Sequence, residues 1–165
     1  MRVDLSRQGP VGGDAAHRPA PGVPAFHLAQ LNLARFRLPT GDPANAAYLA
    51  ALAEVDAAAE RQPGFVWRLR TAGGLAPGAD AFGDPHLVAN LSVWADRDAL
   101  AAFVYRDPAH RSIMARRREW FDRMENHLVL WWVPVGHRPG LAEARDRLDR
   151  LRLRGPTERA FPAPG

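Results

Sequence analysis

The sequence has no cysteine and no lysine among its 165 residues. Without cysteine there is no disulfide, no thiolate metal site and no cysteine nucleophile. Without lysine there is no Schiff-base chemistry. All 22 basic residues are therefore arginine, and the chain is rich in Ala, Gly and Pro, which is the mark of a coding bias rather than of a ligand. The formal charge of +4 is mild for this length, and only Arg116, Arg117 and Arg118 cluster. Nucleic-acid binding is not expected. No run of about 18 apolar residues occurs, so no membrane span is expected. No basic segment followed by an apolar stretch opens the sequence, so a secretory signal is not expected either, and a cytoplasmic protein is the default. The six His are scattered, with no HxxxH and no acid-rich cluster, so no metal site is expected. A Gly-rich phosphate loop between strand and helix is also missing, as is a GxSxG elbow.

What is present is a hydrophobic fraction of 47%, enough for one domain with a proper core. Residues 1–25 are rich in Gly, Pro and Ala without periodicity and read as a disordered N-terminal arm. The domain spans 26–154, and 155–165 reads as a tail. Phe26 to Arg37 alternates as a strand, with Ala29, Leu31 and Leu33 facing one way and Leu28, Gln30, Asn32 and Ala34 the other. Asp42-Pro43 supplies a cap and a first residue for a helix with Tyr48, Leu52, Val55 and Ala59 as its apolar stripe. Pro63-Gly64 ends it. Phe65 to Thr71 is a second strand, with Phe65, Trp67 and Leu69 on one face and Val66, Arg68 and Arg70 on the other. Residues 72–85 form a long loop, either a lid or a floppy hairpin connection.

Leu87 to Trp94 is a third strand, with Asn90, Ser92 and Trp94 on one face. Asp96 caps a helix that breaks at Asp107-Pro108 and resumes, with His110, Met114, Arg117 and Phe121 at steps of four, three and four along one helical face. His127 to Pro134 is a continuous apolar run, as in a strand buried on both faces. Pro139 opens a last helix with Leu141, Ala144, Leu148 and Leu151 on one side and charges on the other.

The order β-α-β-β-α-β with an added C-terminal helix predicts an α+β, ferredoxin-like fold. Helices then cover one face of an antiparallel sheet and leave the other bare. The bare face is predicted to carry Gln30, Asn32, Arg68, Asn90, Ser92 and Trp94. It is too apolar for water, so two copies packed sheet to sheet would enclose a cavity between them.

The segments LAQLNLARFR, GFVWRLRT, LVANLSVW, FVYRDPAHRSIMARRREWF and LVLWWVPVGHRP resemble an uncharacterised bacterial family within the antibiotic-biosynthesis monooxygenase-like superfamily. That resemblance covers roughly Phe26 to Leu153 and implies a homodimeric α/β barrel. It leaves the activity open, because the superfamily hosts cofactor-free oxygenases, haem-degrading enzymes, isomerases and proteins without known chemistry. In some haem-degrading relatives an Asn of the first strand, a Trp and a helical His make the site. Asn32, Trp94 and His110 lie in analogous elements, but the spacing from the Trp to the His departs from those enzymes.

The candidate catalytic residues are thus His110, Asn32 and Arg68, with Gln30, Asn90, Ser92, Trp94, Arg117 and Phe121 as substrate-binding candidates. His110 is either an acid or base, a haem ligand or a structural histidine. A buried Arg68 needs an anion, either an internal carboxylate such as Glu119 or Asp122, or a substrate carboxylate or phenolate. Gln30 and Asn32 either orient a ligand carbonyl or dioxygen, or pair with Ser92 and Asn90 across strands.

Three functions follow. One is an enzyme for a small, apolar or aromatic, possibly anionic substrate, working without a cofactor by monooxygenase-like oxidation, isomerisation or cyclisation in secondary metabolism. The others are a haem-binding protein and a non-catalytic ligand-binding dimer.

Overall fold

A computed structural model describes residues 25–71, 76–77, 79–125 and 127–163. The expected arm at 1–25 lies outside the described residues, apart from its last residue. The elements are β1 (Phe26–Arg35), α1 (Ala46–Arg61), β2 (Phe65–Arg68), β3 (Ala76–Pro77), α2 (Ala79–Phe82), β4 (Leu87–Trp94), α3 (Arg97–Arg106), α4 (Pro108–Arg116), β5 (Leu128–Pro134) and α5 (Leu141–Arg154). The antiparallel sheet runs β2-β4-β1-β5, with β3 pairing the free stretch of β4. With the short β3 set aside, this is the ferredoxin-like order. No helix among the described residues is long and apolar enough to cross a membrane.

Three aspartates start the helices. Asp42 accepts from Ala44 N at 2.8 Å ahead of a short 3-10 turn, Pro43–Asn45, that leads into α1. Asp96 accepts from Ala99 N at 2.8 Å, and Asp107 from His110 N at 2.9 Å. Each oxygen satisfies an amide that the first turn leaves free. Gly64 turns the chain from α1 into β2 with φ +84°, and a Cβ there would meet that of Ala99 at 2.5 Å, so only glycine lets this turn close against α3.

The sheet faces differ from the expectation. Ala29, Leu31, Leu33, Ala89, Leu91, Val93, Val129, Trp131 and Val133 form a wholly apolar face, and α5 covers it with Ala144, Leu148 and Leu151. Trp131 Nε1 also donates to Glu143 of α5 at 2.9 Å. The face carrying Leu28, Val88, Trp94 and Leu130 packs against α1, α3 and α4 instead. The amide-and-tryptophan face is therefore the helix-covered one, and the apolar face is closed within the chain. The reason is that α5 carries its own apolar stripe, which serves as the missing layer. A second copy pairing sheet to sheet would have to displace α5.

Strand β2 also departs from simple alternation. Phe65 pairs with Trp94, but Trp67 pairs with Val93 and Arg68 with Ser92, so a register shift lies between Phe65 and Trp67. Phe65 consequently joins the α3 side while Trp67 and Leu69 join the α5 side. The extra residue of a bulge does this, and Val66 is left exposed. The strand itself stops at Arg68 rather than Thr71, although Leu69 N still donates to Leu91 O at 2.8 Å.

The expected loop at 72–85 contains β3 and α2. Arg145 of α5 donates to Ala81 O at 2.8 Å, and Phe82 packs into the α5-side core, so this part lies opposite the amide face. The expected helical stripe from His110 to Phe121 is interrupted, since α4 ends at Arg116 and a 3-10 turn, Arg117–Glu119, follows. Residues past Gly155 run back to β5, where Phe161 and Leu130 exchange backbone hydrogen bonds of 2.8 and 2.9 Å.

Leu148 is fully buried between α5 and the sheet. Leu148→Ala is expected to cost about 2–5 kcal/mol of stability, read as a lower urea midpoint at unchanged slope. A loss under 1 kcal/mol would mean that α5 is not the cover of this face.

Candidate functional site

Strand register arranges the helix-covered face in rows. Leu28 is aligned with Trp94 and Trp132, and Phe65 with Trp94, giving an apolar row. The next row aligns Arg68, Ser92, Gln30 and Leu130; the one after aligns Asn90, Asn32 and Leu128. Val88 and Ala34 close the face with apolar groups. A polar band thus crosses the sheet between two apolar rows; Ser92 in it is buried, Gln30, Asn32 and Arg68 are partly buried, and Asn90 is exposed.

The two halves of the band behave differently. Trp94 Nε1 donates to Ser92 Oγ at 3.0 Å, and Ser92 Oγ donates to Gln30 Oε1 at 2.9 Å. This chain satisfies the buried indole and hydroxyl internally. Trp94 is 1% exposed and packs between Phe65 and Phe103. Gln30, Ser92 and Trp94 are therefore structural in their visible contacts. Asn32 and Asn90 are aligned partners whose side chains make no hydrogen bond among the described residues; Asn32 is partly buried and Asn90 exposed. Both line a cavity of about 60 Å³ with Ala34, Tyr48, Leu52, Asp56 and Arg68. A wider groove of about 390 Å³ adjoins it through Leu52, Asp56 and Arg68, and continues over Leu49, Ala53, Glu60 and Arg70. Together they form one cleft between α1 and the β2–β4 side of the sheet.

Helix α1 supplies the groups that sequence reasoning missed. Tyr48, Leu52, Asp56 and Glu60 recur every fourth residue and so share a face. The apolar reading of Tyr48, Leu52, Val55 and Ala59 passed over the carboxylates on that line. Arg68 Nε donates to Glu60 Oε1 at 2.7 Å and Arg68 Nη1 lies 3.1 Å from Asp56 Oδ2. Its partners are thus these two carboxylates and not Glu119 or Asp122, which pair with Arg116 and Arg35. Arg70 also donates to Glu60 Oε1, at 2.8 Å.

These contacts set the protonation states. Burial pushes the Asp56 carboxyl above the usual aspartate range, Arg68 draws it back, and Glu60 raises it again. Glu60 is held below its usual range, chiefly by the hydrogen bond from Arg68. Tyr48 is pushed up to about 12 by burial and by the Asp56 charge, so its phenol keeps its proton at neutral pH. Its ring is fixed by Phe121 at 4.8 Å, Phe36 at 5.5 Å and Trp120 at 5.5 Å between centroids. Phe121 is therefore a support for Tyr48.

His110 does not line this cleft. Its Nδ1 lies 3.0 Å from Val104 O and its ring 4.9 Å from Phe103, so it joins the start of α4 to α3. Burial holds its pKa below 6.5. Arg117 is exposed and donates to Met114 O at 2.8 Å, also away from the cleft. Of the three catalytic candidates, Asn32 and Arg68 come together and His110 stands apart. No group of three or more metal-ligating side chains occurs among the described residues.

The family model described as "Domain of unknown function (DUF3291)" matches residues 27–163. No curated protein matches the sequence. Among solved structures the chain is similar to protein SO0527 from Shewanella oneidensis, at 16% identity over 65% of this chain and 90% of that one, with a TM-score of 0.49. It is similar to SnoaB, a cofactor-independent oxygenase from Streptomyces nogalater, at 20% identity over 69% and 97%, with a TM-score of 0.46. It is also similar to Rv0793 from Mycobacterium tuberculosis, at 15% identity over 69% and 99%, with a TM-score of 0.48.

Two outcomes test this geometry. Arg68→Met is expected to raise the Asp56 pKa further, because the charge that lowers it is gone; carbon-detected NMR titration of the carboxyl group reads the shift. A fall would contradict the ion pair. His110→Ala is expected to cost about 1–3 kcal/mol of stability. Since burial keeps His110 neutral in the folded chain, the intact protein should lose stability as pH falls below 6.5, and the variant should lose less. Equal acid sensitivity of the two would rule out His110 as its source.

Proposed function

We propose, for a chain that belongs to the DUF3291 family, that the cleft under α1 is the active site of an enzyme acting on a small, largely apolar molecule. The observation that carries this reading is the convergence of two amides without side-chain partners, a protonated phenol and a half-buried carboxylate on one cavity. Asn32 is partly buried and Asn90 exposed, so both amides are open to water and can take up a ligand oxygen without breaking a hydrogen bond within the chain. A groove of about 390 Å³ is also within the range that small-molecule sites occupy.

Asp56 is the general base of this site. Its raised pKa brings it nearer the working pH while Arg68 keeps it ionised, the balance a base needs. Tyr48, Asn32 and Asn90 donate to the oxygen on which negative charge develops, and they stand ready before the reaction. Leu49, Leu52 and Ala53 offer apolar surface to the body of the substrate. Removal of a proton from an enolisable or phenolic substrate is the first step shared by isomerisation, cyclisation and cofactor-independent oxygenation, with dioxygen as co-substrate in the last. The sequence resemblance to monooxygenase-like proteins favours the oxygenation.

Haem ligated by His110 does not fit this site, because no histidine lines either part of the cleft. Haemin titration is expected to give no Soret band that depends on His110.

The direct test is oxygen uptake, or product formation, with a polyphenolic substrate. Asp56→Asn should lower kcat by about 10²–10⁴, and His110→Ala should leave kcat within about twofold at a temperature where it stays folded. The reverse pattern would move the chemistry away from α1.

A further inference from the structure

The charges around the cleft are already spent on one another. Its lining holds four charged groups: Asp56, Glu60, Arg68 and Arg70. Arg68 spans both carboxylates, at 3.1 Å from Asp56 and 2.7 Å from Glu60, and Arg70 adds a 2.8 Å contact to Glu60. Two positive and two negative charges cancel. The smaller cavity adds only Asn32, Asn90 and the Tyr48 phenol as polar groups, all neutral.

An incoming carboxylate or phosphate would therefore find no uncompensated cation. It would come to rest beside Asp56 in a partly desolvated space, where like charges repel more strongly than in water. To recruit Arg68 it would have to break a pair that is only 18% and 14% exposed at Arg68 and Asp56. An incoming ammonium fares no better, since Asp56 and Glu60 are already matched. A neutral molecule meets none of these costs. Arg68 engages Oδ2 of Asp56, so the other carboxylate oxygen is an acceptor for a ligand hydroxyl. Tyr48 and the two amides are donors for a ligand oxygen.

We propose that the cleft selects an uncharged molecule that presents a hydroxyl to Asp56 and an acceptor oxygen to Tyr48 and the Asn32–Asn90 pair, and that it discriminates against carboxylates and phosphates. This rests on the reading of the cleft as the active site. It also replaces the expectation that Arg68 holds a substrate anion. The neutral form binds, and ionisation follows when Asp56 takes the hydroxyl proton, so negative charge appears only where the phenol and amides await it.

Calorimetric titration of the full chain at neutral pH with 2-naphthol and 2-naphthoate tests this with two probes of similar shape and different charge. The neutral probe should bind at least about tenfold more tightly. Glu60→Gln removes one negative charge and leaves one arginine charge unmatched, so it should strengthen naphthoate binding and shrink the ratio by about fivefold or more. Tyr48→Phe should weaken naphthol alone. Circular dichroism confirms that each variant is folded. Naphthoate binding as tightly as naphthol to the unaltered chain overturns the selectivity and leaves the cleft as a binding site. A ratio unchanged in folded Glu60→Gln overturns its electrostatic cause. If neither probe binds, the reading of the cleft as a site falls, and the selectivity with it.

Discussion

The Arg68 bridge to Asp56 and Glu60 is the constraint on which the candidate site depends. It ties α1 to the β2 edge of the sheet across the very space where a ligand would sit. A guanidinium on a covered sheet face is costly without counter-charges. Two carboxylates one helical turn apart supply them, and their spacing lets one planar fork reach both. The bridge leaves the cleft without net charge, and Asp56, on the same face of α1 as Tyr48, helps keep the phenol protonated. The buried Leu52, Val55, Ala58 and Ala59 seat α1 on the sheet, and the bridge fixes the polar line beside them over the β2 edge.

The bridge works because the β2 bulge places Arg68 beside Ser92 on the helix-covered face, together with Phe65. In strict alternation Phe65 and Arg68 take opposite faces. An apolar anchor and a cation three residues apart can then share a face only where the strand carries an extra residue. Exposed Val66 is that residue. A local irregularity in a four-residue strand thus fixes both the packing of Trp94 against Phe65 and the reach of Arg68.

The element order outside 72–85, the caps at Asp42, Asp96 and Asp107, and the alignment of Gln30 with Ser92 and Asn32 with Asn90 were legible in the sequence, because each rests on spacing along one or two segments. Which helix covers which face was not. Both faces offered apolar residues at period two, and the stripe on α5 is the same kind of signal as the stripe on α1. Only the three-dimensional path of the chain after Gly136 decides that Ala144 and Leu148 meet Leu31 and Val93. The position of His110 apart from the cleft was hidden for a related reason. A histidine beside a helix start has chemistry that is easy to imagine, whereas its use here, contacting Val104 O across the α3–α4 joint, depends on a break whose angle no spacing encodes. Asp56 was hidden in the opposite way. It lies on the Tyr48–Leu52 line, but one position from Val55, and an apolar stripe is read by discarding such acids.

Where a cation is found in a pocket, its counter-charges decide what it does. A guanidinium facing open space with no carboxylate nearby is a binding group, and its ligand is an anion. A guanidinium gripped by two carboxylates stabilises their ionised forms, and its consequence is felt by the groups they touch. Arg68 is of the second kind: it lowers Glu60 and opposes the rise of Asp56. In the proposed reaction its contribution would be made through the carboxylate it steadies. Burial alone would drive Asp56 toward the neutral acid, a poor base, while full exposure would leave it too weak to compete for a proton. Partial burial offset by one shared arginine lands between these limits, and the unpartnered amides of Asn32 and Asn90 sit in the same cavity to receive the charge that a proton transfer to Asp56 would leave behind.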